Sequence, residues 1–497
     1  MSLAHSHSRA QLGVHAPAVS VEVHLANGLP ALSLVGLPET AVRESKDRVR
    51  SALQSCGFEF PQKRITINLA PADLPKDGGR FDLAIALGLL AASEQIPAQC
   101  LDNYECIGEL ALSGELRPVR GVLPAALAAR DAGRALLVPS ANAAEAALAK
   151  GLTIIAAEHL LALTAHLSGA QPIEPYSGKT LEPSPQAHLE LADVQGQQQA
   201  KRALIIAASG RHNLLFSGPP GTGKTLLASR LPALLPPLSE QQALEVAALH
   251  SLSSSASLSH WPSRPFRQPH HTASAAALVG GGSSPQPGEI SLAHHGVLFL
   301  DELPEFDRKV LEVLREPLES GVIEIARARE KVRYPARFQL IAAMNPCPCG
   351  YHGDPSGQCR CSPEQIQRYK LKLSGPLLDR IDLHLNVPRE PHSPLATAPG
   401  TPSSAEASAQ IAAAWQRQLA RQGKANAELS LAELQQHCAL SEEDRAWFEA
   451  ACQRLNLSLR ASHRCLKVAR TLADLAAAEQ IQRPMLAEAL QYRLSHE

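Results

Sequence analysis

The sequence predicts an α/β fold around a parallel sheet, with an α+β domain before it and a helical domain after it. In the middle of the chain, apolar runs typical of buried strands (HNLLFS, VLFL and FQLIAA) alternate with helical segments. Before them, apolar and polar residues alternate in VSVEVHLA and RITINLA, whereas the last section is rich in Ala, Leu, Gln and Glu. A chain of 497 residues is long enough for several domains.

Two stretches rich in Pro, Ser and Gly divide the chain, and we predict that they are linkers, at residues 169–188 and 389–404. They predict an N-terminal α+β domain over residues 1–168 and an α/β core over residues 189–388. The remaining residues, 405–497, are predicted to form a C-terminal helical lid.

The composition is that of an ordinary globular protein. The 47 Lys and Arg residues nearly balance the 48 Asp and Glu residues, so any nucleic-acid surface must be local. Of ten cysteines, four cluster between Cys347 and Cys361 and six are single, which does not indicate a secreted disulfide framework. The N-terminus lacks a signal-like apolar stretch, and the apolar run at residues 81–92 is too short to cross a membrane. We therefore expect a cytoplasmic protein without a membrane partner.

The strongest motif is GPPGTGKT at residues 218–225, which follows the strand-like HNLLFS and precedes the helical LLASRL. Its glycines let the backbone N–H groups and the helix N-terminus face an anion, Lys224 places a charge at the β- and γ-phosphates, and Thr225 offers a hydroxyl to Mg²⁺. The alternative is a chance glycine loop, but the order of strand, motif and helix favours a nucleotide site. The predicted ATP-binding residues are Gly218, Pro219, Pro220, Gly221, Thr222, Gly223, Lys224 and Thr225.

Two further strands end in polar residues that could complete this site. The run VLFL ends in Asp301 and Glu302, and we expect Asp301 to hold Mg²⁺ and Glu302 to orient the attacking water. The run FQLIAA leads to Asn345, whose amide can bind the γ-phosphate or that water. The alternatives are a solvated turn for the carboxylates and a turn Asn before Pro346.

The cysteine cluster predicts a structural zinc site. Four thiolates lie in a Gly- and Pro-rich loop that cannot form a core by itself, and four thiolates leave no open position for catalysis. The two C-x-C pairs are tighter than usual, so His352 could replace one ligand, and reduced cysteines without metal are the alternative. The predicted ligands are Cys347, Cys349, Cys359 and Cys361.

Residues 321–337 alternate like a β-hairpin and carry five basic against two acidic residues, a local charge of +3. Basic hairpins can bind nucleic-acid phosphates, although a solvated hairpin face without a ligand is the alternative. The predicted DNA contacts are Arg327, Arg329, Lys331 and Arg333.

Taken together, these motifs resemble an AAA+ module of the magnesium-chelatase and MCM-helicase branch. The resemblance rests on DVQG at residues 193–196, the phosphate loop, LDE at residues 300–302, Asn345 and LDRID at residues 378–382. It is closer still to the bacterial YifB/ComM family, through VGLPETAVRES, ITINLAPADLPKDGGRFDLAIALG, FRQPHHTAS, NPCPCG and SGPLLDRIDLH.

The resemblance implies roles for three arginines. Arg380 would reach the ATP of the next subunit in a ring and neutralise transition-state charge, with an internal salt bridge to Asp379 or Asp382 as the alternative. Arg460 would sense phosphate within its own subunit, with Arg464 as second choice and plain surface charge as the alternative.

The N-terminal section resembles the proteolytic domain of Lon-type proteases, a fold of the ribosomal S5 domain 2 type. A Lon-type site needs a nucleophilic Ser, but the matching turn at residues 77–82 reads DGGRFD. We therefore predict a domain without protease activity that serves assembly or DNA handling.

The resemblance also implies a function. YifB/ComM-like proteins are hexameric helicases that move single-stranded or branched DNA in natural transformation and homologous recombination, together with recombination proteins. The basic hairpin and the FRQPHH insertion at residues 266–271 would then line the central channel. A chelatase-type ATPase that remodels a partner protein is the alternative, whereas intact Glu302 and Arg380 disfavour a mere nucleotide switch.

Overall fold

The computed structural model describes residues 2–37, 39–178, 190–253, 261–282, 285–326, 331–389 and 403–493. Most of the second predicted linker, and residues 179–188 of the first, lie outside the described residues. Arg327 and Arg329 of the basic hairpin also lie outside them.

The N-terminal region is built on a seven-stranded mixed sheet with the order β3-β4-β2-β1-β5-β8-β9. Alternation in the second strand buries Val19, Val21, Val23 and Leu25 on one face. Helix α3 (Asp82–Ala92), which is apolar after its first residue, is buried along its whole length and contributes to the same core. The elements of this region are β1 (Ser2–Arg9), β2 (Ala18–Ala26), β3 (Ala31–Val35), α1 (Thr40–Arg43), α2 (Ser45–Ser55), β4 (Arg64–Ala70), α3 (Asp82–Ala92), β5 (Tyr104–Cys106), β6 (Glu109–Leu110), β7 (Leu116–Arg117), α4 (Val122–Asp131), β8 (Ala135–Pro139), α5 (Ala143–Ala146), β9 (Ile154–Ala157) and α6 (Leu160–Leu167).

The middle of the chain forms a five-stranded sheet with the order β11-β14-β17-β10-β18, in which every pairing is parallel. The three apolar runs of the sequence form β10, β14 and β17, which confirms the predicted parallel α/β core. The elements of this region are α7 (Gln198–Gly210), β10 (Leu214–Ser217), α8 (Lys224–Leu234), α9 (Glu240–Leu252), β11 (Phe266–Arg267), α10 (Ala275–Val279), β12 (Gly280–Gly281), β13 (Gln286–Pro287), α11 (Glu289–Leu292), β14 (Val297–Leu300), α12 (Arg308–Glu312), α13 (Arg315–Ser320), β15 (Val322–Ala326), β16 (Lys331–Pro335), β17 (Gln339–Met344), α14 (Pro363–Lys370), α15 (Gly375–Leu378) and β18 (Leu383–Asn386).

The C-terminal region is helical, as predicted. Ser403 begins its first helix through a capping box with Glu406, which satisfies N–H groups that the first helical turn leaves without partners. The helices are α16 (Ser404–Gln422), α17 (Leu431–His437), α18 (Glu442–Arg454), α19 (Leu459–Leu475) and α20 (Arg483–Gln491).

The described helices of the C-terminal region do not form a core of their own. Helices α16 and α19 pack their apolar faces on α7, so Val468 and Leu472 share one buried cluster with Leu204. Two side chains of α16 also donate hydrogen bonds to the end of α7, from Trp415 to the Ala208 carbonyl and from Gln418 to the Ser209 carbonyl. The C-terminal helices are therefore fixed against the helix that precedes β10.

Among the described residues, no helix combines the length and the apolar character that crossing a membrane requires.

Candidate functional site

The phosphate loop joins β10 to α8 at the carboxyl end of the parallel sheet, where β10 lies between β17 and β18. Gly221 and Gly223 have φ angles of +79° and +83°, and a Cβ at either would meet nothing within 4 Å. Gly218 is needed for a different reason, since its Cβ would lie 2.2 Å from the Val387 carbonyl oxygen. The loop thus contains left-handed turns at two positions and a close backbone contact at a third, and glycine tolerates both without strain.

Lys224 lies at the start of α8 and turns back into the loop. Its Nζ donates hydrogen bonds to the carbonyl oxygens of Gly218, at 2.7 Å, and Pro219, at 2.8 Å. Asn345, at the end of the neighbouring strand region, accepts a longer contact of 3.4 Å from the same ammonium. Burial lowers the pKa of Lys224 to about 8, although Asp301 favours the charged form.

Asp301 follows β14 directly and is held beside the loop. The Thr225 hydroxyl donates to its Oδ2 at 2.7 Å, and the backbone N–H of Glu302 donates to its Oδ1 at 2.9 Å. A hydroxyl and a carboxylate are the oxygen donors that Mg²⁺ accepts beside phosphates. This donor pair therefore fits a magnesium ion bound together with a nucleotide.

Glu302 lies in a left-handed turn, with φ of 52° and ψ of 46°, and half of its side chain is exposed. Its carboxylate lies 3.0 Å from Nδ1 of His271, whose ring lies against that of His270 at a tilt of 33° and meets Phe306 edge-on. Sequence reasoning placed His271 in a channel-lining insertion and missed this contact. The contact depends on the parallel pairing of β11 with β14, which brings His271, four residues after β11, beside Glu302, and no sequence pattern marks that pairing.

Among the described residues, none of the three candidate arginines pairs with the phosphate loop. Arg380 is largely buried and pairs with Glu319, while its Nη1 donates to the Pro376 carbonyl at 2.6 Å. This partner is neither of the aspartates considered from sequence. Arg464 pairs with the buried Asp382, whereas Arg460 is exposed in the first turn of α19. Two roles therefore stay predictions: Arg380 acting in a neighbouring subunit's site, and Arg460 sensing phosphate in its own subunit.

The four predicted zinc ligands lie together, with every pair of sulfur atoms within 4.8 Å. The Cys347 sulfur lies 3.3 Å from that of Cys349 and 3.8 Å from that of Cys359. Tetrahedral bonds of about 2.3 Å place thiolate sulfurs roughly 3.8 Å apart, so the arrangement fits a Zn²⁺ ion. His352 is exposed and lies outside this group of four.

The cysteine loop rests on the phosphate loop. Gly350, with φ of +87°, approaches so closely that a Cβ there would lie 2.8 Å from Cδ of Pro220 and 3.8 Å from Cγ of Asn345. The cluster begins two residues after Asn345 along the chain. A well-ordered cysteine loop therefore helps to hold the phosphate loop in position.

A second group, Glu245, His294 and His295, also has ligand atoms within 4.8 Å of one another, but its hydrogen bonds disfavour a metal. The backbone N–H of Arg337 donates to Nδ1 of His294, and burial lowers the pKa of His294 to about 3. The neutral ring therefore carries its proton on Nε2, which donates to Glu245. That nitrogen has no lone pair left for a metal.

The described part of the basic hairpin consists of β15 and β16, paired antiparallel. Lys331 and Arg333 are both 76% exposed, and both pair with Glu324, at 3.5 Å and 3.1 Å. One acidic side chain thus faces two basic ones, which leaves an excess of positive charge on this exposed face.

The fold and the site define the class of protein. A phosphate loop and a strand-end carboxylate pair on a parallel sheet, followed by a helical region, are together typical of a magnesium-chelatase-like AAA+ ATPase. Family models agree over most of the chain. Subunit ChlI of Mg-chelatase matches residues 21–142, Magnesium chelatase, subunit ChlI matches residues 190–395, and its C-terminal model matches residues 401–493.

Full-length relatives identify the family. The chain is 54% identical to protein YifB of Salmonella typhimurium over 99% of its own length and 97% of that protein. It is 52% identical to Competence protein ComM of Haemophilus influenzae over 99% of its length and 98% of that protein. The Magnesium-chelatase 67 kDa subunit of Heliobacterium mobile is 31% identical over 33% of this chain and 29% of its own. The chain belongs to the YifB/ComM family.

Proposed function

We propose that this protein is a ring-forming ATPase that uses ATP hydrolysis to move single-stranded or branched DNA, in natural transformation and homologous recombination. The observation that carries the ATPase part is the convergence of Lys224, Thr225, Asp301 and Asn345 at one edge of the parallel sheet. The DNA part is supported by the exposed basic hairpin and by the name of the competence relative.

The chemistry assigned to the site follows from its donors and acceptors. The backbone N–H groups of the loop and the Lys224 ammonium bind the β- and γ-phosphates. Thr225 and Asp301 would hold Mg²⁺, which supplies positive charge to the phosphate oxygens. Glu302 orients a water molecule for in-line attack and polarises it, and the Asn345 amide bonds that water or the γ-phosphate.

We further propose that Arg380 acts on the ATP of a neighbouring subunit in a ring, most simply a hexamer. Within one chain its guanidinium is bound by Glu319 at the edge of the core. Binding a neighbour's γ-phosphate would exchange this carboxylate for a stronger anion, and an arginine supplied in this way contributes strongly to phosphoryl transfer. Arg460, exposed on the lid, is assigned to phosphate sensing in its own subunit.

The cysteine cluster is assigned to a structural Zn²⁺ ion held by Cys347, Cys349, Cys359 and Cys361. Zinc bound by four thiolates stabilises a loop that has little apolar core of its own. Because Gly350 of this loop packs on Pro220, the metal would also stabilise the phosphate loop.

A steady-state ATPase assay with and without single-stranded and branched DNA tests the proposal. A DNA motor is stimulated by DNA, whereas the competing candidate, a chelatase-type ATPase that remodels a partner protein, is not. Heliobacterium's chelatase subunit gives that candidate its support, but the match covers only 33% of this chain. We place the proposed activity in the cytoplasm, where its DNA substrates are found.

A further inference from the structure

The turn at residues 77–82, where a Lon-type protease would carry its nucleophile, holds a buried arginine. Arg80 is only 5% exposed. Its Nη1 donates to Oε1 of Gln11 at 3.0 Å, and its Nη2 donates to the Gly121 carbonyl at 3.4 Å. Burial lowers the pKa of Arg80 to about 10, so the guanidinium is still charged at neutral pH. Its Nε is buried without a hydrogen-bond partner among the described residues, so the two Nη bonds are what compensates the burial of this charge.

Both acceptors of Arg80 lie where the N-terminal region meets the nucleotide-binding core. The N–H of Gly121 donates to the Ser251 carbonyl at 2.9 Å, at the end of α9. Gly121 has φ of +67°, and a Cβ there would lie 2.1 Å from Gln11 Oε1 and 3.0 Å from Leu252. Arg80 therefore joins the segment at Gln11 to the segment at Gly121, and Gly121 is bonded to the end of α9.

Gln11 begins the turn between β1 and β2, and this turn reaches the basic hairpin. The turn is closed by hydrogen bonds between Leu12 and His15 and by a bond from Gln11 to the Gly13 carbonyl. Gly13 has φ of +58°, and a Cβ there would lie 2.7 Å from Cγ1 of Val332. Leu12 and Val14 pack on the same apolar cluster as Val332 and Tyr334.

Strand alternation links this packing to the exposed basic face. In β16, Val332 and Tyr334 are 3% and 1% exposed, whereas the residues between and before them, Arg333 and Lys331, point to solvent. The face that packs on the β1–β2 turn therefore fixes the direction of the basic face. A shift of the turn would move both basic side chains.

We propose that Arg80 is a positioning residue for the basic hairpin, acting through Gln11 and the β1–β2 turn. The N-terminal region then serves as a rigid support for the hairpin that contacts DNA. The DNA-binding part of this inference rests on the proposed function, whereas the mechanical part, that Arg80 orders β16, does not.

The test compares Arg80→Met with Arg64→Met, an exposed arginine of the same region that serves as the matched control. Hydrogen exchange at the amides of β16 should speed up about tenfold or more in Arg80→Met and stay unchanged in the control. Affinity for single-stranded DNA should fall about tenfold, while ATPase without DNA should stay within about twofold. Arg80→Lys, which keeps the charge but lacks the planar, forked geometry of the guanidinium, should lie between wild type and Arg80→Met.

Two results would overturn the inference: β16 exchange at the wild-type rate in folded Arg80→Met, or equal effects of both variants. If Arg80→Met does not fold, Gln11→Ala breaks the same link from the side of the turn and keeps the bond from Arg80 to the Gly121 carbonyl, and the same exchange result is expected. A wild-type protein that does not bind DNA would refute the proposed function, while the exchange measurement would still decide whether Arg80 orders the hairpin.

Discussion

The hydroxyl of Thr225 donates a 2.7 Å hydrogen bond to Asp301, and this bond joins the first turn of α8 to the end of β14. It brings together residues that are 76 positions apart in the sequence. The same edge of the sheet holds Lys224 and Asn345. The following predictions test whether this convergence is an ATPase site.

Replacing Lys224 with Ala should abolish ATP binding, because the loop loses its only side-chain charge at the phosphates. Glu302→Gln should bind ATP normally but hydrolyse it on the order of 100-fold more slowly or worse, since the amide cannot polarise water. Nucleotide-binding titrations and steady-state turnover separate the two effects. Wild-type turnover in either variant would contradict the assignment.

The apparent affinity for Mg²⁺-ATP should depend on pH in one direction. The pKa of Lys224 is lowered to about 8 by burial, so the free site loses the lysine charge above that pH. ATP binding must then take up a proton, and the dissociation constant should rise about tenfold per pH unit above pH 8 and stay flat between pH 7 and 7.5. Lys224→Arg, which stays charged, is the control, and an equal slope in that variant would remove lysine as the cause.

Protein purified without chelators should contain about one zinc ion per chain. The double variant Cys347→Ser and Cys359→Ser should lose the metal and also weaken ATP binding, because the cysteine loop packs on Pro220. Cys100→Ser, which changes a single cysteine far along the chain from the cluster, is the matched control. Metal analysis that finds none in wild-type protein would refute the site.

If Arg380 acts in a neighbouring subunit, Arg380→Ala should lower turnover by on the order of 10³-fold while ATP binding is retained. Mixing it with Lys224→Ala should restore part of the activity, because some interfaces then combine an intact loop with an intact arginine. Native mass measurement confirms that mixed rings form. Confirmed mixed rings without any rescue would show that Arg380 acts only through its internal pair with Glu319.

The basic hairpin predicts a salt-dependent effect. Replacing Lys331 and Arg333 with Ala should weaken DNA binding for all sequences alike and make the log–log salt slope shallower by about 0.7 to 0.9 for each lost phosphate contact. Arg327 and Arg329, if added to the substitution, should extend the same trend. Basal ATPase should survive the double substitution, since Lys331 and Arg333 pair with Glu324 and not with the phosphate loop. An unchanged salt slope would leave Lys331 and Arg333 as a solvated face.

The clustering of the candidate nucleotide-site residues could be predicted from the sequence because its signals are local. The buried strands are continuous apolar runs, and each site residue follows its strand directly, so parallel pairing brings Asp301 and Asn345 to the phosphate loop. The two C-x-C pairs likewise predicted that the four thiols lie together, because close spacing along the chain limits how far apart they can be.

What could not be predicted depends on contacts between distant segments. The Arg380–Glu319 pair spans 61 residues and the Arg80–Gln11 pair spans 69. Neither pair is marked by a period or a motif, because its geometry is set by how whole regions dock. The lid's lack of a separate core has the same origin, since the apolar face of α19 does not reveal that α7 will cover it.

The most direct test of the central claim is movement of a synthetic branched DNA junction by the wild-type protein with Mg²⁺-ATP. The account predicts that strands are displaced with ATP, not with a non-hydrolysable analogue, and not by Glu302→Gln. DNA binding by Glu302→Gln should be intact, which shows that hydrolysis and not binding is the missing step. Wild-type protein that hydrolyses ATP yet neither binds DNA at low salt nor moves the junction would contradict the DNA motor and favour remodelling of a partner protein.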